Sequence, residues 1–571
     1  MTLRIARALV SPALLAALLI DCRPEDSDIA PDLRSRARAT ADAPVAFLDT
    51  DREAVVLAPG AAARLTATAY DSLVAPLTSR PVNYRTLDPT VATVGADGLV
   101  RAIAGGLTAI VAESGAAADT IPVRVAHDGG EEIRVEIFPA RSFQRIDGWE
   151  AHHQSGELDC QPSNFVRYRD ELFDRAVTEL GINRVRLEVR SGMEAPNLHA
   201  PGGNEPQSTA VSFGTPWFSP QNDNDDPFVA DSSGFQFGWF DYNVAQSVVP
   251  LRDRLAARGE RLYLVLTYVD FFRTTPYEQM ENPEEYAELI AVTFEHLHRR
   301  FGFVPDAVEV ILEPDNTPWT PEQVGRALVA AGDRLRASGF HPEFIAPSTT
   351  NLAEAVRSYD RLRLVPRVGE YLTVLSYHRY SGVSSPALHQ LKLRARRDGL
   401  RLAMLEHTEG TASELHDDLT RASASAWERF ALAFCGANAN PDATGVYYQV
   451  QLRAGSPPRL VFTNSARLLR HYFAFVRHGA VRIAAASSDG AVSPVAFRNT
   501  DGGTVVVIRT SKKSGFAIGG LPAGRYTVLW SLDRAVRSER FTTDLGAGAL
   551  LQGAIPGSGF VTIYAQRAES E

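Results

Sequence analysis

Between residues 131 and 477 two patterns of apolar and polar positions alternate along the chain. Strand-length apolar runs occupy Arg145–Trp149, Arg184–Val189, Leu262–Tyr268, Ala307–Leu312, Glu343–Ala346, Leu372–Tyr377, Leu400–Leu405 and Gly445–Val450. Between them lie segments with apolar residues at i, i+3 and i+4, the helical period, including Phe165–Leu180, Pro283–Phe301, Pro321–Ala337 and Ala424–Phe434. Pro283 and Pro321 stand where proline suits a first helical turn. Eight strands, each followed by a helix, predict a (β/α)8 TIM barrel over 131–477.

The flanks follow a different rule. In 44–127 short apolar stretches (Val55–Leu57, Ala63–Ala69, Val82–Tyr84, Val91–Val94, Leu99–Ile103, Thr108–Ala112, Thr120–Val125) are separated by Pro59-Gly60, Asp88-Pro89, Asp97-Gly98 and Gly105-Gly106. Strands at this spacing predict a small β-sandwich. The run Leu87–Val94, then Gly98-Leu99-Val100, then Gly105-Gly106, resembles bacterial immunoglobulin-like domains of group 2. That resemblance implies a spacer or adhesive module. Residues 478–571 return to β character, and a C-terminal β-sandwich is expected there. The alternation of Ile133–Phe138 needs a sheet to pair with, and this sandwich is its expected partner.

With 571 residues the chain exceeds what one core organises, as the division into domains requires. A net charge of −10 argues against nucleic acid or an anionic membrane as partner. Cys22, Cys160 and Cys435 make no disulfide framework and no zinc cluster; a Cys160–Cys435 bridge and two separate thiols both fit. Arg4 and Arg7, the apolar run Ala8–Ile20 and then Cys22 read as an export signal over 1–22. It resembles a bacterial lipoprotein signal, although Asp21 stands where a small residue belongs. Lipidated Cys22 would then be the one membrane attachment. Polar residues 23–43 read as a flexible linker.

Working groups of a barrel sit at the carboxyl ends of its strands. The fourth strand ends in Glu313-Pro314, where Pro314 cannot continue a central ladder, and the seventh ends in Glu406. Strands four and seven face each other across a barrel. Retaining glycosidic cleavage needs such a pair about 5–5.5 Å apart, one carboxyl protonating the leaving oxygen and the other attacking the sugar carbon. The Glu-Pro after strand four and the Glu after strand seven resemble the large glycosidase clan built on this barrel. Phe143–Glu150 (FQRIDGWE), with a sandwich appended to the barrel, is similar to glycoside hydrolase family 30. The resemblance implies Glu313 as acid/base, Glu406 as nucleophile, and Arg186 as the cation that holds Glu406 ionised. It also implies a His378/Tyr380 pair beside the nucleophile, and Trp149 and Glu150 lining a sugar subsite. Tyr268, closing the third strand, is placed with these substrate-binding residues.

Two features cut across this reading. The family carries Asn directly before its acid/base glutamate, where this chain has Leu312. The missing amide would have met the sugar 2-hydroxyl, which implies a different substrate, a weakened enzyme or a barrel that only binds; Asn316 is a candidate replacement. Glu409, in Thr408-Glu409-Gly410, competes with Glu406, which is preferred because it directly ends the apolar run. The long insertion Glu194–Trp239 is expected either to wall the substrate cleft or to form a surface loop with its own small core. Asn222–Asp226 lacks the ligand spacing of a helix-loop-helix calcium motif and reads as a solvated acidic turn. No phosphate loop, dinucleotide fingerprint or metal-spaced histidine pair is present, so no cofactor and no metal are expected. The substrate reading is a polysaccharide or oligosaccharide cut by an exported, retaining β-glycoside hydrolase. The alternative is a non-catalytic glycan-binding or adhesive surface protein with a degenerate barrel site.

Overall fold

Eight parallel strands close into a barrel in chain order: Gly148–His152, Arg184–Arg190, Tyr263–Val269, Ala307–Glu309, Glu343–Asn351, Leu372–Ser381, Arg401–Glu406 and Ala424–Ala431, the last pairing with the first. The computed structural model describes residues 43–127, 132–153, 162–194, 222–270, 278–435, 445–534 and 538–566. The export signal, Cys22, Cys160 (and with it the choice between a Cys160–Cys435 bridge and two separate thiols), and 195–221 of the long insertion lie outside the described residues. Among the described residues no helix is long and apolar enough to cross a membrane.

Side chains alternate along each strand. Val185, Leu187, Leu264, Leu266, Val308, Phe344, Leu375, Met404 and Trp427 point outward into the core shared with the helices. Val265, Ala307, Ile345, Val374, Ala403, Leu405 and Ala426 fill the barrel interior. Helices Pro283–Phe301 and Pro321–Ala337 occur where proline and apolar spacing predict them, the second fixed by a capping box between Thr320 and Gln323. Gly148 opens the first strand at φ 137°, and a β-carbon there would collide with the Asn183 side chain, whose oxygen accepts from Trp149 N at 2.8 Å.

The eighth strand corrects the sequence reading. Ala424–Phe434 is not a helix: Ala424–Ala431 closes the barrel. Gly445–Val450, expected as that strand, instead contributes Tyr448–Gln451 to a small sheet with Ala433–Cys435 and Arg459–Phe462. A strand covered on both faces has no polar alternation, and periodicity does not separate it from a buried helix. The helix that follows the eighth strand is Asn464–Phe473. The fourth strand is also shorter than its apolar run, with ladder pairing only over Ala307–Glu309.

Ile133–Arg145 leads into the barrel and joins the C-terminal β region, antiparallel to Val481–Ser487 and parallel to Ser514–Gly519. That region is one continuous nine-stranded sheet. Its core draws Ile137, Ile483, Val506, Phe516, Val528 and Leu551 from along the whole strand order, so the sheet curls over on itself. Residues 43–127 form sheets of four, three and two strands around Leu48, Leu65, Val100, Ile110, Ile121 and Val123.

The N-terminal unit is seated on the barrel and the C-terminal sheet by ion pairs. Asp49 meets Lys392 at 3.1 Å, and Glu53 takes both ends of the Arg482 guanidinium at 2.6 and 2.7 Å. Burial would raise the Glu53 carboxyl, but Arg482 outweighs it and the value falls below 4.5. A carboxyl depressed in the folded state stabilises above its unfolded value and loses that contribution as pH falls through its folded one. Glu53→Gln is therefore expected to lower the melting temperature at neutral pH and to make its decline on acidification shallower. Melting curves of both proteins across an acid series check this. Parallel declines would assign the acid response to other carboxylates.

Candidate active site

The second strand explains the barrel mouth. In Arg184-Val185-Arg186-Leu187-Glu188-Val189-Arg190 every second residue is charged, and all four charged side chains are buried on the inner face. Arg184 pairs with Glu150 of the first strand at 2.7 Å. Arg186, higher in the barrel, pairs with Glu406 and lies 3.6 Å from Glu428 of the eighth strand. Glu188 pairs with Arg190 and meets His152 Nε2 at 2.8 Å. Glu309 of the fourth strand is fully buried and accepts from Thr267 at 2.6 Å.

Strict alternation would not turn Glu406 inward, because Ala403 and Leu405 already point there. A register irregularity does so. Tyr377 pairs with Met404 but His378 pairs with Glu406, so two residues of strand seven oppose one of strand six. This bulge re-aims Glu406 to the face that carries His378. Tyr380, two residues beyond His378, donates its hydroxyl to Glu406 Oε1 at 2.7 Å.

Glu313 reaches the same space by a backbone turn. It sits at φ 51° and ψ 60°, a left-handed conformation costing a non-glycine residue about 1–2 kcal/mol. Its amide donates to Ser348 O at 3.2 Å, and Ser348 is itself at φ 53°. Pro314 ends the strand direction, so the carboxylate turns across the mouth instead of continuing the ladder. Glu313 Oε1 lies 2.9 Å from His378 Nδ1, and Oε2 accepts from Asn316 Nδ2 at 2.8 Å. One oxygen of Glu313, one of Glu406 and a ring nitrogen of His378 lie within 4.8 Å of one another. Each of the four carboxylate oxygens has a hydrogen-bond partner, and an arginine occupies one of them. That saturation suits a charge-tuned carboxyl pair and does not fit a metal centre.

Electrostatics separate the buried acids. Burial pushes Glu406 up, but Arg186, His378 and the Tyr380 hydroxyl outweigh it and hold the carboxyl below its ordinary value. Burial dominates at Glu428 and carries it well above the carboxylate range despite Arg186, with Glu150 and Glu406 adding to the rise. Burial likewise raises Glu309. One arginine cannot keep two buried carboxylates ionised; its charge goes to the one at the mouth, and the deeper one favours its proton. Burial opposes the His378 imidazolium, but Glu313, Glu406 and Glu309 raise it above its ordinary value.

The structure brings Glu313, Glu406, Arg186, His378 and Tyr380 together. It does not bring Trp149 or Tyr268 to the mouth. Trp149 points outward, stacks on Phe473 at 4.7 Å and donates its indole N–H to Val476 O at 2.7 Å. Tyr268 also points outward, edge-on to Tyr286 at 5.2 Å and Trp319 at 6.0 Å. Each occupies the outward parity of its strand, one position off the inner face. Glu150 faces inward but is fully buried beneath the mouth against Arg184, so it supports the charge layer and is closed to a sugar. Glu409 is exposed in the turn after strand seven. Leu312 is buried, and its amide bonds Tyr268 O at 2.9 Å. The sequence reading missed Glu309, Glu428, Glu188, Arg190 and His152. The period-2 charges of the second strand were the available signal for its members.

No protein-family model and no curated protein sequence matches the chain. Solved structures do. A family 30 endoxylanase from Clostridium papyrosolvens superposes with TM-score 0.53 at 15% identity, covering 76% of this chain and 100% of the other. A conserved exported protein from Bacteroides fragilis gives 0.54 at 13%, covering 76% and 100%. An endo-β1,6-glucanase gives 0.52 at 13%, covering 79% and 96%. The chain thus has the fold of the glycoside hydrolase family 30 structures, a TIM barrel with an attached β region.

Proposed function

We propose that the chain is a retaining β-glycoside hydrolase acting on a polysaccharide or glycoconjugate, with Glu406 as nucleophile and Glu313 as acid/base. The observation that carries this reading is the pairing of two mouth carboxylates, with oxygens within 4.8 Å, on strands four and seven. Double displacement requires about 5–5.5 Å between carboxyl groups, whereas direct displacement through an interposed water needs about 6.5–9.5 Å. An ionised Glu406 attacks the anomeric carbon while Glu313 gives a proton to the departing oxygen. Glu313 then takes a proton from the water that releases the glycosyl-enzyme. Asn316 donates to Glu313 from the loop after it, which makes it the candidate to replace the Asn absent at Leu312. The N-terminal β unit is proposed as an immunoglobulin-like spacer and the chain as exported.

Reducing-sugar release from β-linked xylans, β1,6- and other β-glucans, galactans and fucosylated glycans tests the reading, with the anomeric configuration of first products followed by NMR. Retained configuration is the expected outcome. Inverted product would exclude double displacement. No release from any glycan, with glycan binding retained, would support the binding-protein alternative and make Leu312→Asn the informative variant. Glu313→Gln is expected to slow hydrolysis of a natural glycan about 10²–10⁴-fold but to spare an activated aryl glycoside, whose leaving group needs no proton. Equal losses on both would remove Glu313 from the acid role.

A further inference from the structure

A second carboxylate cluster lies outside the catalytic mouth. Glu285 and Glu288 occupy one face of the first turns of helix Pro283–Phe301, which follows the third barrel strand, and both are buried. Asp223 reaches them from the insertion that follows the second strand. One oxygen from each of the three lies within 4.8 Å of the others. Arg334 reaches this cluster, with its Nη2 3.2 Å from Glu288 Oε1, and also donates to Pro227 O. Glu288 is 0% exposed, yet its Oε2 has no hydrogen-bond partner among the described residues. Asp223 Oδ2 accepts from Asn224 Nδ2 at 2.8 Å and from the Asp231 amide, while its Oδ1 is buried and likewise without a partner among the described residues. The side-chain oxygen of the neighbouring Asn222 is in the same state.

Among the described residues Arg334 meets Glu288 through one oxygen only, and the negative charge left on the buried oxygens of Glu288 and Asp223 calls for a proton or a bound cation. A single proton can bridge only two of these oxygens, whereas a divalent cation can accept all three carboxylates.

We propose that Asp223, Glu285 and Glu288 form a calcium site that pins the insertion after the second barrel strand to the helix after the third. All three donors are hard carboxylate oxygens, with no nitrogen or sulfur to favour zinc or copper. Calcium binds oxygen at about 2.3–2.6 Å, so two of its ligands stand at most about 5.2 Å apart, and the three oxygens of this cluster lie within that bound. Its flexible shell accepts ligands brought from a loop and a helix, with water completing the coordination; magnesium demands a regular octahedron. Spacing within Asn222–Asp226 carries no calcium motif because two of the three carboxylates come from a distant helix.

The test is thermal unfolding of the purified chain, stripped with EDTA and titrated with calcium chloride, with calorimetric binding alongside. Calcium at a hundredfold excess over its Kd is expected to raise the melting temperature by about 3–4 °C, with one ion bound per chain at this site. Glu288→Gln and Asp223→Asn should each abolish the calcium response. Glu288→Gln should melt in EDTA no lower than the wild type, because it relieves the charge surplus. Should Glu288→Gln fail to fold, Asp223→Asn, on the partly exposed loop, carries the test. Absence of binding at millimolar calcium, an equal response to magnesium, or a response that survives both substitutions would overturn the proposal. So would a response lost only in Glu406→Gln, which would place the ion at the catalytic mouth.

Discussion

Glu406→Gln is expected to reduce kcat/KM by about 10⁴-fold or more while leaving the melting temperature nearly unchanged. The first half follows from chemistry: an amide cannot form the glycosyl ester, and about 5.4 kcal/mol of transition-state stabilisation disappears with it. The second follows from the charge layout. Removing the negative charge of Glu406 would ordinarily strand the buried Arg186 guanidinium, at a cost of several kcal/mol. Here Glu428 stands 3.6 Å from Arg186 and favours its proton partly because Glu406 is charged. Once Glu406 is neutral, Glu428 can release that proton and become the counter-ion. Reducing-sugar release and differential scanning calorimetry on the same preparation check both halves. A variant that loses activity only because it unfolds would contradict the compensation. A folded variant with wild-type turnover would remove Glu406 from the chemistry.

What the sequence made legible follows from which surfaces each residue meets. Glu313 and Glu406 stand out because a largely apolar run ending in a carboxylate marks the carboxyl end of a barrel strand. The turn that aims Glu313 and the bulge that aims Glu406 leave no mark in composition or period, because both are set by pairing with neighbouring strands. Trp149 and Tyr268 show the cost of ignoring parity: one residue either way along a strand separates the barrel axis from the helix layer. The fixed inner positions Glu150, Arg186 and Thr267 would have assigned both aromatics outward. Ala424–Ala431 was hidden for the opposite reason. Its inner face carries Ala426 and Glu428 and its outer face Trp427, so neither face looked solvated. Local spacing within the acidic turn Asn222–Asp226 is blind to Glu285 and Glu288, which lie on another element.

Arg186→Met is expected to act on both stability and pH dependence, and the pH profile separates its two roles. Arg186 is fully buried and is the arginine that meets both Glu406 and Glu428. Without it, only His378 and the Tyr380 hydroxyl oppose burial at Glu406, and the carboxyl moves upward. In the wild type the nucleophile stays ionised down to low pH, so the acid limb of kcat/KM lies in the acid range and activity is retained above it. In the variant that limb should move upward by about 2 units, so that kcat/KM at pH values below both limbs falls by about 10²-fold while kcat/KM above the new limb changes least. Loss of the cation also leaves two buried carboxyls uncompensated, worth about 3–5 kcal/mol if both stay ionised. Because both can take up protons, the lower end is expected, a fall of about 4 °C in melting temperature. Tyr380→Phe removes a single hydrogen bond to the same carboxylate from a partly exposed position, so it should shift the limb in the same direction by less and leave stability almost intact. If the limb stays in place in both variants while activity falls, Arg186 serves the barrel interior alone and the ionisation of Glu406 has another origin.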